Sequence, residues 1–98
     1  MTGLTEFSLQ TKQANQWLNI TGEVQRAVAA SKISEGICVV FVPHTTAAVT
    51  VNENADPDVP RDVVLALNYI SPDRRGFLHG EGNSAAHTKT TLVGPSVT

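Results

Sequence analysis

The sequence predicts an α+β domain in which two helices pack against a mainly antiparallel β-sheet. Two segments, beginning near Thr21 and Asp58, carry apolar residues at the spacing of amphipathic helices. The remaining segments are short and either alternate between apolar and polar residues, as at Thr5–Thr11, or are continuously apolar, as at Ile37–Val42. The resulting order, β-β-α-β-β-α-β, is typical of this class.

The first part of the chain reads as two strands followed by a helix. Strands are predicted at Thr5–Thr11 and Trp17–Ile20, with a turn between them. Thr21 is predicted to be the N-cap of the first helix, because its hydroxyl can accept a bond from a first-turn amide. Gly36 is predicted to end this helix. The expected buried stripe consists of Val24, Ala27, Val28 and Ser31.

The strongest strand signal is Ile37–Val42, which is rich in β-branched residues and apolar on both faces. It is predicted to be a central strand, with Cys38 as an inert core residue. Pro43 cannot donate to a sheet ladder, so regular pairing should lapse there. The next strand is predicted at Ala47–Glu53.

A second helix is predicted to begin after Asp58, with Pro60 tolerated in its first turn. Its expected buried stripe consists of Val59, Val63, Leu67 and Ile70. A last strand is predicted at Thr88–Val93. Beyond it, Gly94–Thr98 stops where a turn into a further strand is expected, so the sequence predicts an open sheet edge.

Composition excludes several classes of partner. The formal net charge of −2 gives no electrostatic case for binding nucleic acid or an anionic membrane. No apolar run approaches a transmembrane span, and Met1–Gln10 has no secretory signal pattern. The single cysteine, Cys38, fits a reducing cytoplasm. At 98 residues, a small cytoplasmic domain that oligomerises to bury more surface is expected.

The polar stretch His79–His87 is the leading candidate for a binding loop. It contains two histidines, two glycines, a carboxylate and a carboxamide, and almost nothing that can serve as core. The third histidine, His44, follows the predicted central strand. Imidazole is a common metal ligand and acid–base group, so the three rings are predicted to share a site if their elements converge. Alternatively, His44 bonds a backbone group and the other two are solvated, and their spacing matches no standard zinc pattern.

Carboxylates and small polar residues extend this candidate site. Glu53 ends a predicted strand and Glu81 lies in the polar stretch, whereas Asp56 and Asp58 are equally well explained by turn and helix-start chemistry. Hydroxyls and accessible amides suit a phosphate or another oxyanion. The residues predicted to supply them are Thr45, Thr46, Gly80, Gly82 and Ser84.

Three motifs in order, Val42–Ala48, Asn52–Val59 and His79–His87, followed by Gly94–Ser96, resemble the YjbQ family. This family is also called UPF0047 and is often labelled secondary thiamine-phosphate synthase. The resemblance implies a β-sandwich-like core, a homotrimer and a pocket near subunit contacts. It also implies that residues 1–98 form a single YjbQ-like domain lacking the family's C-terminal strands, with their Gly-Thr-Trp-Gln motif. The pocket residues it implies are His44, Glu53, His79, Glu81, Asn83 and His87.

The function implied by this resemblance is that of a thiamine-phosphate synthase, which joins a pyrimidine diphosphate to a thiazole phosphate and releases diphosphate. Histidines and a divalent ion would stabilise the leaving group. An alternative is a metal-dependent hydrolase or lyase acting on another phosphorylated metabolite. Its imidazoles would serve either as an acid–base pair or as ligands of zinc, manganese or magnesium, the predicted ligands being His44, His79 and His87. A further alternative is a non-catalytic trimeric protein that binds a small anion.

Overall fold

The computed structural model describes residues 3–98, which divide into two compact units. The N-terminal unit extends to Cys38, and the C-terminal unit comprises Val39–Thr98. All the residues predicted to form the site belong to the C-terminal unit.

The helix of the N-terminal unit, α1, spans Thr21–Ser31 and confirms the first predicted helix. Its start differs in detail, because the Thr21 amide donates to Asn19 Oδ1 at 3.0 Å and Thr21 does not act as the N-cap. Its end also differs. Lys32 adopts the left-handed conformation, with φ of 58°, and its amide donates to Ala29 O, so the helix ends before Gly36 is reached.

The two predicted strands of this unit, Thr5–Thr11 and Trp17–Ile20, are not strands in the structure. A strand is defined by its ladder, and the described residues give neither segment a hydrogen-bonded neighbour. Residues 5–11 are exposed along their whole length. Cys38 is also exposed, so its predicted place in the core is wrong.

In the C-terminal unit, α2 spans Asp58–Ile70 and confirms the second predicted helix. Asp56 precedes it, and its Oδ1 accepts from the Asp58 amide at 2.9 Å, which is the turn role considered for this carboxylate. Val59, Val63 and Leu67 are half-buried, which is less than the buried stripe predicted, and Ile70 is exposed.

The sheet of this unit is much smaller than predicted. Strand β1, Val40–Phe41, pairs antiparallel with β2, Ser96–Val97, in the register Val40↔Val97. The pairing continues from the Val42 amide to Pro95 O at 2.8 Å. With one neighbour among the described strands, β1 is not the predicted central strand, and Phe41 is 62% exposed.

The predicted strand Ala47–Glu53 also forms no ladder in the structure. Its one inter-segment backbone bond in the described chain runs from the Val49 amide to Gly94 O at 3.1 Å. This bond holds Val49, one of two buried apolar residues of the described chain, against the start of the β2 segment.

The third helix, α3, spans Ser84–Val93 and replaces the predicted strand Thr88–Val93. The threonines that suggested a strand are accommodated because their hydroxyls bond to carbonyls four residues earlier. Thr88 Oγ1 donates to Ser84 O at 3.0 Å, and Thr91 Oγ1 donates to His87 O at 2.9 Å. The third helix corrects the prediction of two.

A buried contact joins α2 to α3. Ser71, at the C-terminal end of α2, is 2% exposed, and its hydroxyl donates to Ala85 O in the first turn of α3 at 3.2 Å. Ala85 is itself buried. The contact therefore fixes the start of α3, from which the candidate site is built.

Residues 3–98 form three helices and a small antiparallel sheet. The predicted β-sandwich stays a prediction. None of the helices in residues 3–98 has the length and apolar character required to cross a bilayer.

Candidate functional site

A tight turn at His79–Gly82 directs the chain into α3. The Gly82 amide donates to His79 O at 3.1 Å, and Gly82 has a φ of +73°, in the left-handed region that glycine adopts without strain. Because α3 begins immediately afterwards, at Ser84, the turn brings the His79 ring close to a residue one helical turn into α3.

That residue is His87. The ring centroids of His79 and His87 are 5.2 Å apart, and the ring planes are 84° apart, in an edge-to-face arrangement. The structure therefore brings together two of the three histidines that the sequence singled out. Two imidazoles at this distance can contact the same small ligand.

Glu81 adds a carboxylate beside the pair. Its Oε1 lies 4.0 Å from His79 Nε2, which is too long for a direct hydrogen bond but within reach of an ion pair when His79 is protonated. The side chains of His79 and Glu81 are 42% and 75% exposed, so the cluster is open to solvent and to a ligand. We refer to His79, Glu81 and His87 as the His-pair cluster.

Asn83 occupies the N-cap position of α3 without capping it. Its backbone carbonyl accepts from the Ala86 and His87 amides, but its side chain makes no capping bond. Its Oδ1 is shielded from solvent and has no hydrogen-bond partner in the described part of the chain. An unpaired buried acceptor costs about 1–3 kcal/mol, so Asn83 Oδ1 lowers the stability of this turn.

His44 lies in a separate local structure at the end of the β1 segment. Its amide donates to Val42 O at 2.9 Å across Pro43. Its Nδ1 accepts from the Thr46 amide at 3.1 Å and lies 3.0 Å from Thr46 Oγ1. Bonding to a backbone group was the alternative considered for this histidine, and the structure contains that bond. Thr46 therefore orients His44.

The other predicted site residues are not drawn into the His-pair cluster by any bond in residues 3–98. Glu53 is exposed, and its amide donates to Asn52 Oδ1 at 2.7 Å. Thr45 and Gly80 are exposed, whereas Ser84 is the half-buried first residue of α3. The roles assigned to these residues stay predictions.

The residues do not assemble the ligand set expected for a divalent ion. Among residues 3–98, no three histidine, cysteine, aspartate or glutamate side chains are placed to hold a metal. His79 and His87 contact each other, and His44 does not complete a set with them.

Sequence reasoning missed two contacts that position the cluster. Ser71 continues the i+4 series of Val59, Val63 and Leu67 on the inner face of α2, a signal that the predicted stripe, ending at Ile70, leaves out. Lys89 Nζ donates to Asn68 Oδ1 and so links α3 to α2 a second time. Nothing in the sequence pattern indicated this second pairing.

Replacing Gly82 by alanine should destabilise the turn. A Cβ at this position meets no atom within 4 Å, so the expected loss of about 1–2 kcal/mol in unfolding free energy comes from the positive φ alone. Urea unfolding followed by circular dichroism measures it. Gly80→Ala is the matched control, since Gly80 lies in the same open turn without a positive φ. Equal losses in both variants would contradict the prediction.

Comparison with known proteins identifies the family. The sequence model of the family described as UPF0047 protein YjbQ-like matches residues 5–98. The UPF0047 protein of Methanocaldococcus jannaschii is 43% identical over 95 residues, which cover 97% of this chain and 69% of that protein. UPF0047 protein YugU of Bacillus subtilis is 37% identical over 94 residues, which cover 95% of this chain and 71% of that protein.

Solved structures agree with the sequence comparison. A YjbQ/UPF0047 family protein from Clostridium acetobutylicum superposes with a TM-score of 0.92 at 48% identity, covering 96% of this chain and 73% of that one. A hypothetical protein from Aeropyrum pernix K1 superposes with a TM-score of 0.86 at 34% identity, covering 93% of this chain and 69% of that one. By sequence and by structure, the chain belongs to the UPF0047 (YjbQ-like) family.

Proposed function

We propose that the His-pair cluster binds the diphosphate of a phosphorylated metabolite and that the protein acts as a thiamine-phosphate synthase. In this reaction a pyrimidine diphosphate and a thiazole phosphate are joined, and diphosphate is released. The observation that carries the proposal is the His79–His87 pair, whose rings lie 5.2 Å apart, with the His79 side chain 42% exposed to solvent.

The chemistry of the pair suits a departing diphosphate. As the bond to diphosphate breaks, negative charge accumulates on its oxygens, and fixed N–H donors stabilise that charge. Each imidazole offers at least one ring N–H, and two rings in contact can engage neighbouring phosphoryl oxygens. Glu81, 4.0 Å from His79 Nε2, favours the orientation of the His79 ring in which this nitrogen faces the carboxylate.

The start of α3 supports the same ligand class. The first amides of a helix have no acceptor within the helix and carry the positive end of its dipole. Asn83 does not cap these amides with its side chain. The Ser84 amide, adjacent to the cluster in sequence, is therefore a further donor for a phosphoryl oxygen.

The test is release of diphosphate from a mixture of the pyrimidine diphosphate and the thiazole phosphate. Release that depends on both substrates and exceeds that of heat-denatured protein is expected. If inorganic diphosphate raises the melting temperature but no release occurs, the protein binds the anion without turning it over. If diphosphate is not released and inorganic diphosphate does not raise the melting temperature, the proposal is refuted.

We further propose that the protein acts in the cytoplasm as a homotrimer. A groove on α2, lined by Asp62, Leu65, Ala66, Tyr69 and Ile70, supports association, since Leu65 and Tyr69 are largely exposed. Exposed apolar patches of this kind are typical of protein–protein contacts.

Light scattering after size exclusion should give three times the mass of one chain. Leu65→Glu should lower that mass because it places a charge in the groove. Leu92→Glu is the control, since Leu92 is exposed to a similar degree, 57% against 61%, on a different helix. A monomeric mass at every concentration tested would refute the trimer.

A further inference from the structure

The ring of His44 is held in one orientation by the residues that follow it. Its Nδ1 lies 3.1 Å from the Thr46 backbone nitrogen and 3.0 Å from Thr46 Oγ1. A backbone amide can donate a hydrogen bond but cannot accept one. Nδ1 must therefore present its lone pair to Thr46 and carry no proton.

This bond determines the tautomer. A neutral imidazole carries one N–H, so an unprotonated Nδ1 places the proton on Nε2. Within residues 3–98, Nε2 has no hydrogen-bond partner, and His44 is exposed. The Nε2–H group is thus a donor available to a ligand.

We propose that His44 is fixed as the Nε2–H tautomer and donates a hydrogen bond to a phosphate oxygen of the ligand, and that it is not a metal ligand. The ligand class rests on the proposed function. The tautomer rests on the Thr46 contact alone.

The same contact argues against metal binding at His44. A histidine that binds a metal through one ring nitrogen usually donates through the other, to a carboxylate or a carbonyl. At His44 the other nitrogen accepts. Freeing the Nε2 lone pair would move the proton to Nδ1, where it would face the Thr46 amide hydrogen at a nitrogen separation of 3.1 Å. Metal binding therefore requires breaking this bond and turning the ring.

The tautomer can be read directly by nuclear magnetic resonance. Long-range proton–nitrogen correlation on the full chain with labelled histidine, at about pH 8 where ordinary imidazoles are neutral, should show His44 with a protonated Nε2 and an accepting Nδ1. Thr46→Val should keep this pattern, because the backbone amide of residue 46 still donates to Nδ1. Thr45→Val is the matched control, since it makes the same change at the neighbouring residue. An Nδ1–H tautomer in the wild-type chain would overturn the proposal.

Inorganic phosphate tests whether His44 donates a hydrogen bond to the anion. Zinc tests whether His44 binds a metal. His44→Ala should weaken phosphate binding about tenfold, and His44→Gln, which keeps an N–H donor, should weaken it less. Zinc binding should be the same in the wild type and both variants. Zinc binding lost in both variants would overturn the proposal.

Phosphate binding distinguishes failure of this inference from failure of the proposed function. If phosphate perturbs the signals of His79 and His87 and binds the His44→Ala variant equally well, the donor role of His44 falls and the proposed function stands. If phosphate perturbs none of the three histidines, both fall.

Discussion

Replacing His79 or His87 by alanine is expected to lower the rate of diphosphate release by about 100-fold or more. Each substitution removes one of the two rings that contact each other at 5.2 Å, and with it the N–H donors proposed to stabilise the leaving group. The double variant should be little slower than either single variant, because residues acting on one ligand as a unit have non-additive effects.

Initial rates measured with saturating pyrimidine diphosphate and thiazole phosphate test this expectation. Leu92→Ala is the control, since it also shortens a side chain of α3 but at an exposed position outside the cluster. Circular dichroism should show that all the variants retain the wild-type helix content. A His79→Ala or His87→Ala variant with the wild-type rate would exclude that ring from the reaction.

Gly94→Ala is expected to give the largest loss of stability of any single glycine substitution in the C-terminal unit, roughly 1–3 kcal/mol. Gly94 has φ of 102° and ψ of 158°, a region that is open essentially to glycine alone. Pro95 follows it and restricts the preceding residue further, towards negative φ.

The strain cannot relax locally without loss of backbone hydrogen bonds. Gly94 O accepts from the Val49 amide, and Pro95 O accepts from the Val42 amide. A rotation that relieved an alanine at position 94 would displace both carbonyls and β2 with them. Loss of the ladder would also disturb the segment that carries His44.

Urea unfolding of the wild type, Gly94→Ala and Gly76→Ala measures the effect. Gly76 is the matched control, since a Cβ there meets nothing within 4 Å and its φ is not positive. An alanine at such a position leaves stability unchanged or raises it slightly, by restricting the unfolded chain. An equal unfolding midpoint for the two variants would contradict the assignment of strain to Gly94.

The two helices predicted from the sequence are confirmed because their signal is local. In α1 and α2 the apolar residues recur at the helical period within one segment, and no distant partner is required to generate the pattern. The strand predictions fail for the opposite reason. Thr5–Thr11 has the alternation of a strand, but a ladder also needs a neighbour, which alternation cannot specify.

The third helix shows how tertiary contacts override local preference. Thr88, Thr90 and Thr91 favour a strand by intrinsic propensity. In the structure two of these hydroxyls bond to carbonyls of the same helix, and the helix is held at its start by the Ser71–Ala85 bond. A sequence pattern does not reveal that a buried serine fourteen residues away fixes a helical carbonyl.

The candidate site was predicted in composition but not in geometry. The polar stretch His79–His87 does fold into a turn and a helix start that bring its two histidines together. The eight-residue spacing of His79 and His87 does not by itself predict that the rings meet. They meet because the turn ends and α3 begins at Ser84, which the sequence did not indicate. The Nδ1 contact of His44 was likewise invisible, because it depends on the path of the backbone after Pro43.

The pairing of β1 with β2 has a consequence for the order in which this unit is completed during synthesis. Val40 pairs with Val97, so the ladder closes a loop that contains α2, the His-pair cluster and α3. Closing a long loop costs chain entropy before the contact is gained, and such contacts form late and slowly. On the ribosome, α2 and α3 can form as they emerge. The segment bearing His44 acquires its strand partner only after Val97 has left the exit tunnel.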